Sequence, residues 1–304
     1  MAFYQSRIVK YYTNNCININ ILFAGAGKLM YIFYKNWRSS MDKNLHSKIK
    51  ELISSTKPEE LREGLKLVKQ EISRIGSDKA KPLFEIISTI FYIDPLERPD
   101  LVAVIEEAIA LVVGFGDWII PILVRELEES DLKAQMAIAQ AFGQIGVDAI
   151  LPLMEEYKKT TEPTRREFIL YSLSKIKSPK IVKAGEFAIE SAQSLNRELR
   201  DTATRAIGKF AESIPKSNLP EEMRRGFVEV LQRNLADENP GIRAKAIRSL
   251  GKLARYGHLN DKEQKNLKRT LDIILGEDEK HEWDRVYLVR KEAKEAIKYV
   301  VIEQ

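Results

Sequence analysis

The sequence predicts an all-α protein, an α-α superhelix built from about six to seven helical pairs. Three observations predict it. The stretch Asp237 to Ala254, DENPGIRAKAIRSLGKLA, places Ile242, Ala246, Leu250 and Leu253 on one face by helical spacing. Three segments repeat one pattern, Asp78 to Pro82, Asp117 to Pro121 and Asp148 to Pro152, each preceded by a glycine (Gly76, Gly116, Gly146). Finally, positions matching Leu250 recur at Ile72, Val112, Phe142, Leu173, Ile207 and Ile297, with steps of 40, 30, 31, 34, 43 and 47. Such periods belong to stacked helical hairpins with loops that lengthen towards the C-terminus.

The first 40 residues stand apart. They are rich in Asn, Tyr and Ile and carry Arg7, Lys10, Lys28, Lys35 and Arg38 with no acidic residue. Taking those five from 49 basic residues leaves 44, against 44 acidic, so residues 41–304 are charge-balanced. Overall basicity therefore gives no support for nucleic-acid binding by the body of the chain. The apolar run 17–34 is interrupted by Asn18, Asn20 and Lys28, which argues against a spanning helix or a secretory leader. The tetrapeptide Gly25-Ala26-Gly27-Lys28 lacks the glycine spacing and the hydroxyl residue of a phosphate loop. Residues 1–40 are expected to be disordered or to lie upstream of a natural start at Met41, with 41–304 forming one continuous array. Cys16 is the single cysteine, which fits a reducing compartment and a cytoplasmic protein.

Each element of the array has its own signature. Leu45, Ile49, Leu52 and Ile53 give a short amphipathic helix. Thr56-Lys57-Pro58-Glu59 reads as a capping box opening a helix to about Gly76. In the three copies the aspartate is expected to cap the helix, the proline to sit in its first turn, and the glycine to end the preceding helix at positive φ. Asn260-Asp261-Lys262-Glu263 reads as a second capping box, starting the last first helix of a pair. Trp118, heading an apolar helix, is expected in the core, and Trp283 to pack on the final helix.

The stretch 237–254 resembles the second helix of a HEAT repeat. The segment Glu128 to Tyr157, ESDLKAQMAIAQAFGQIGVDAILPLMEEY, is similar to the PBS-lyase HEAT-like repeats named after phycobilin lyases. The resemblance covers roughly residues 59–302 and is specific for fold, not for an activity. It implies a ladder of paired residues between neighbouring repeats. Here the ladder positions are Arg200, Arg243 and Arg290, with Arg166 matching loosely and Gln135 in the most regular repeat. Asp237 lies six residues before Arg243 and Asp284 six before Arg290, so each aspartate is expected to bond the arginine across its own turn.

Catalytic chemistry finds little footing. No serine stands in a Gly-x-Ser-x-Gly turn, and His46, His258 and His281 are scattered. His281-Glu282 is a single His-Glu pair, where the helical-repeat hydroxylases acting on deoxyhypusine use several. No cofactor is predicted. One patterned surface remains. Five and nine residues past the ladder positions lie Gln140 and Gln144, Tyr171 and Lys175, Arg205 and Lys209, Arg248 and Lys252, then Glu295 and Tyr299. Arg255 extends the set by a turn. These residues sit away from the apolar face and form a column with a basic middle. Its functional reading is a groove for an acidic protein partner or, as second choice, a nucleic-acid backbone; its bland reading is a solvated helix face. The sequence therefore suggests a non-enzymatic interaction scaffold, with a nucleic-acid binder and a phycobilin-lyase-type modifier as alternatives, and no membrane partner.

Overall fold

The computed structural model describes residues 43–301. The atypical segment 1–40, with Cys16 and Met41 beyond it, lies outside the described residues. Two compact units make up the chain, with the boundary between Pro82 and Leu83.

In the first unit, α1 (Lys43–Ile53) packs against α2 (Pro58–Ile75). Ile49 and Ile53 are buried on α1, and Leu61, Leu65 and Val68 on α2, spaced to share one face. Gly64 brings the helices together: a Cβ there would stand 3.1 Å from that of Leu52 and closer still to Ile53. The cap position of α2 falls one residue after the expected Thr56. Lys57 occupies it without a side-chain bond, because its ammonium has no lone pair to accept an N–H; the Ser55 hydroxyl accepts the Lys57 N–H at 3.1 Å and itself donates to Glu60.

The second unit alternates first and second helices of each pair. The first helices are α3 (Lys81–Ile87), α5 (Ile119–Glu129), α7 (Ile150–Lys159), α9 (Gly185–Ser191), α11 (Glu221–Asn234) and α13 (Asp261–Leu275). The second helices are α4 (Val102–Val113), α6 (Leu132–Ile145), α8 (Pro163–Leu173), α10 (Arg197–Ser213), α12 (Pro240–Arg255) and α14 (Tyr287–Ala296). Val112, Phe142, Leu173, Ile207 and Leu250, at the predicted repeat register, are all buried. So are Ile242, Ala246 and Leu253 on α12. Successive second helices pack directly on one another, most extensively α10 on α12 and α12 on α14, whereas neighbouring first helices touch over shorter stretches. The second helices thus form the inner, more tightly packed face of this unit.

Small residues permit that packing. A Cβ on Gly208 would lie 2.9 Å from Cβ of Ser249, and one on Gly251 would lie 2.9 Å from Cβ of Ala296. Both glycines directly follow a register residue, so each marks the point where one second helix meets the next.

The three Asp-Pro copies begin differently from the sequence expectation. Gly76, Gly116 and Gly146 do adopt positive φ (86°, 86° and 78°), and Pro82, Pro121 and Pro152 do fall in first turns. The aspartates, however, are not caps. Trp118 and Ala149 occupy the caps of α5 and α7, with no side-chain bond. The chain enters each helix through a tight turn already in right-handed conformation, and the N–H groups of Ile119 and Ile120 bond the carbonyls of Gly116 and Asp117. Those donors are no longer orphaned, so a carboxylate has nothing to cap. By contrast, the box at α13 forms in both directions: Glu263 N–H to Asn260 and Asn260 N–H to the Glu263 carboxylate, each 2.9 Å. The stretch Leu132–Lys159 has the length and hydropathy of a membrane span, but Gly146 breaks it into α6 and α7, which pack within the array.

A basic cleft on the second-helix face

The ladder fixes how the second helices register. Arg200 on α10 donates from Nε to Asp237 at 2.7 Å, and Arg243 on α12 donates from Nε to Asp284 at 2.8 Å. Each aspartate carboxylate therefore bonds the arginine of the preceding repeat, and only its backbone carbonyl bonds the arginine six residues later. The physical reason is the later arginine's reach. Nη1 of Arg243 donates to the Asp237 carbonyl (3.0 Å), and Nη1 of Arg290 to the Asp284 carbonyl (2.8 Å), which turns their remaining donors onward. Arg166 follows the same habit with the Thr160 carbonyl, and Gln135 with the Leu127 carbonyl. Arg290, in the last repeat, stacks over Trp283 at 4.4 Å, and Trp283 stays 47% exposed. Trp118 stacks on Phe115 with 5.3 Å between ring centres.

Both aspartates also accept the backbone N–H two residues on, Asn239 and Val286. Burial alone would raise their carboxyls. The arginine and backbone bonds outweigh it, and both are held below the ordinary aspartate range.

With the helices so registered, the middle of the predicted column converges. Arg205, Lys209, Arg248 and Lys252 line one cleft of about 200 Å³ between α10 and α12, together with Lys245 and Ser249. Arg205 and Arg248 are exposed, and the lysines are half-buried. The charges are partly answered. Lys209 and Lys252 both reach Glu212, at 3.0 and 2.8 Å, while Arg248 meets Glu292 on α14 through Nε at 2.8 Å. Lys245 pairs with Asp201. The bond to Glu292 raises the Arg248 pKa. Burial lowers the Lys252 ammonium, with the neighbouring Lys209 adding to the effect. At Glu212 the two lysine bonds overcome the opposing effect of burial and lower its pKa.

The other column residues lie outside this cleft. In the repeat before the cleft, Lys175 sits 4.7 Å above the ring of Tyr171, four residues earlier, and Arg255 stacks over Tyr299 at 5.0 Å. Repeat spacing alone does not pick out Lys245, Glu212 or Glu292. Lys245 lies only two residues past a ladder position, outside the five- and nine-residue spacing of the column.

No family model matches the chain, and no curated protein matches it. Among solved structures, a chain from a structure describing Kap95p binding to RanGDP is similar over 79% of this chain and 36% of its own, at 13% identity and a TM-score of 0.51. The fold is a HEAT-like helical-repeat array. Other solved structures align at TM-scores under 0.5. One is a chain of the CpcE–CpcF complex of phycocyanin lyase from Nostoc sp., with 20% identity over 59% of this chain and 97% of that one, at 0.48. Another is a computationally designed armadillo repeat protein for modular peptide recognition, with 14% identity over 83% and 98%, at 0.42. Within this HEAT-like array the side chains that differ from rung to rung, rather than the fold, decide what the inner face can hold.

Proposed function

We propose that this chain is a non-enzymatic scaffold that takes an acidic surface of a protein partner against the inner face formed by α10 and α12. The observation that carries this reading is the cleft in which Arg205, Lys209, Lys245, Arg248 and Lys252 converge. Cations gathered at a rigid packed face steer an acidic partner and fix its register, and they do so without any catalytic group.

A nucleic-acid backbone is the second reading, and the placement of charge counts against it. Duplex binding gains affinity by neutralising several phosphates in succession. Here Arg248, within the cleft, is paired with Glu292, and beyond the cleft Lys175 and Arg255 stack on tyrosines instead of extending a track.

The test is a capture experiment with the full chain as bait, with and without nuclease. A parallel bait carries Arg205→Glu, Lys209→Glu, Arg248→Glu and Lys252→Glu. The reading predicts a protein partner that survives nuclease and is lost with the charge reversal. Capture that vanishes with nuclease would show a nucleic-acid binder, and capture unaffected by the reversal would place binding elsewhere.

A further inference from the structure

The cleft between α10 and α12 holds a local surplus of positive charge, and its origin is a change of residue at one repeat position. Arg205 and Arg248 are equivalent, five residues past Arg200 and Arg243. Arg248 is answered by Glu292, which stands two residues past Arg290 on the next second helix. The equivalent residue for Arg205, two past Arg243, is Lys245. Where Arg248 finds a carboxylate, Arg205 shares its cleft with an ammonium, and that ammonium turns back to Asp201. Arg205 makes no ion pair among the described residues. One turn further along, Lys209 and Lys252 converge on the single carboxylate of Glu212. Of five cations (Arg205, Lys209, Lys245, Arg248, Lys252), Lys245 is paired with Asp201 and lies within electrostatic range of Glu167, Arg248 is paired with Glu292, two lysines share Glu212, and Arg205 has no ion pair among the described residues.

We propose that this cleft receives one dianionic phosphoryl group, carried on a phosphorylated side chain of the protein partner. The proposal rests on the acidic-partner reading above and names the group recognised. A single phosphoryl group brings close to two negative charges and three acceptor oxygens to one centre. Two separate carboxylates confined to a volume of about 200 Å³ would instead repel each other. The Arg205 guanidinium offers the planar fork that bonds phosphoryl oxygens in pairs, and the two lysines that share Glu212 supply the second charge.

The experiment uses the isotope-labelled full chain, titrated with peptides Gly-Gly-X-Gly-Gly in which X is phosphoserine, glutamate or serine and followed by NMR shifts. Arg205→Gln removes the unpaired fork, and Lys245→Glu gives Arg205 the carboxylate that Arg248 already has. Arg285→Gln, at an exposed residue away from the cleft, is the control, and thermal melting checks that each variant folds. The phosphoserine peptide is expected to bind at least about tenfold tighter than the glutamate peptide, and each cleft variant to weaken it about tenfold or more, with the control unchanged. Should Lys245→Glu fail to fold, the exposed Arg205→Gln carries the test alone. Equal binding of the two acidic peptides, both weakened by the variants, overturns the phosphoryl assignment and leaves the acidic-partner reading standing. Peptide binding indifferent to the cleft variants overturns both. A duplex oligonucleotide that binds through these residues while the peptides do not also overturns both, in favour of nucleic acid.

Discussion

Asp237 is held from two repeats at once: its carboxylate accepts Nε of Arg200 at 2.7 Å, while its carbonyl accepts Nη1 of Arg243 at 3.0 Å. The first bond ties α10 to the turn before α12, and the second fastens that turn to its own helix. Arg200 and Asp237 retain only 15% and 7% side-chain exposure, so the pair lies largely out of water. Asp237→Asn is expected to cost about 2 kcal/mol, chiefly from leaving the Arg200 guanidinium without its carboxylate. Urea unfolding measures this. A double-mutant cycle discriminates further. Arg200 and Asp237 should couple by about 1 kcal/mol or more, whereas Arg243→Met with Asp237→Asn should be additive within about 0.5 kcal/mol, because the carbonyl survives the substitution. Stronger coupling to Arg243 would restore the pairing across the turn and refute the inter-repeat one.

That distinction marks how far the sequence was legible. Helical periodicity is local, so the spacing of Ile242, Ala246, Leu250 and Leu253 is enough to disclose the face they bury. The same holds for the glycines at positive φ and for the box at Asn260 and Glu263. A side-chain pair between repeats is not local. Arg200 and Asp237 are 37 residues apart, and the nearer Asp237–Arg243 spacing is misleading because the arginine is drawn to the backbone. The cleft was half legible for the same reason. Arg205, Lys209, Arg248 and Lys252 follow from the repeat register, but Glu212, Glu292 and Lys245 enter only through the offset between α10, α12 and α14.

Acid should loosen the ladder from its carboxylate side. Asp237 and Asp284 both titrate below the ordinary aspartate value of 3.8, so the folded state binds protons less readily than the unfolded one. Their contribution is complete above 3.8 and is lost as pH falls below it through the depressed folded values. In the Asp237→Asn variant that part of the acid sensitivity should shrink. Melting curves at successive pH values below about 5 compare the two proteins, and parallel curves would refute the assignment.

His258 makes a separate prediction at higher pH. Its ring is 1% exposed, one nitrogen lies 2.9 Å from the Ala211 carbonyl, and Nδ1 has no partner among the described residues. Burial pushes its pKa below the ordinary 6.5, with nearby Lys216 and Arg224 adding to the effect. Burial and the two cations outweigh the bonds that the charged ring would make with the Ala211 and Ile214 backbone, so protonation is disfavoured in the folded state. Stability is therefore expected to be greatest above 6.5 and to decline as pH falls from there towards the depressed folded value. His258→Gln, which carries no titrating group, should flatten the stability profile between about pH 7 and 5.

Removing the last helical pair, after Gly257, should weaken the pair before it. The cut would strip Arg243 of Asp284, Arg248 of Glu292 and the largely buried Arg224 of Glu263. It would also uncover Leu250 and the surface that Ala296 covers at Gly251. In a repeat array each pair is stabilised by its neighbours, so the loss is felt next door. The melting temperature is expected to fall by more than about 5 °C, corresponding to roughly 2 kcal/mol in a chain of this size. An unchanged melting temperature would mean that the preceding pair is self-sufficient.

The sharpest packing prediction concerns Gly208. Alanine is the better helix former by about 1 kcal/mol, so an open position would gain from the change. Gly208 is not open. A new Cβ would stand 2.5 Å from the Ser249 hydroxyl, 2.9 Å from its Cβ and 3.0 Å from its Cα on α12. The hydroxyl could turn aside only by giving up its 2.9 Å bond to the Thr204 carbonyl, and the Cα could move only with the helix. Overpacking of this kind costs about 1–3 kcal/mol and should outweigh the propensity gain. Gly208→Ala is thus expected to lower the denaturation midpoint. Gly208→Ala with Ser249→Ala should recover only part of it, since the new methyl still presses on the backbone of α12. A Gly208→Ala protein more stable than the parent would mean that α10 and α12 are not closely packed at this point.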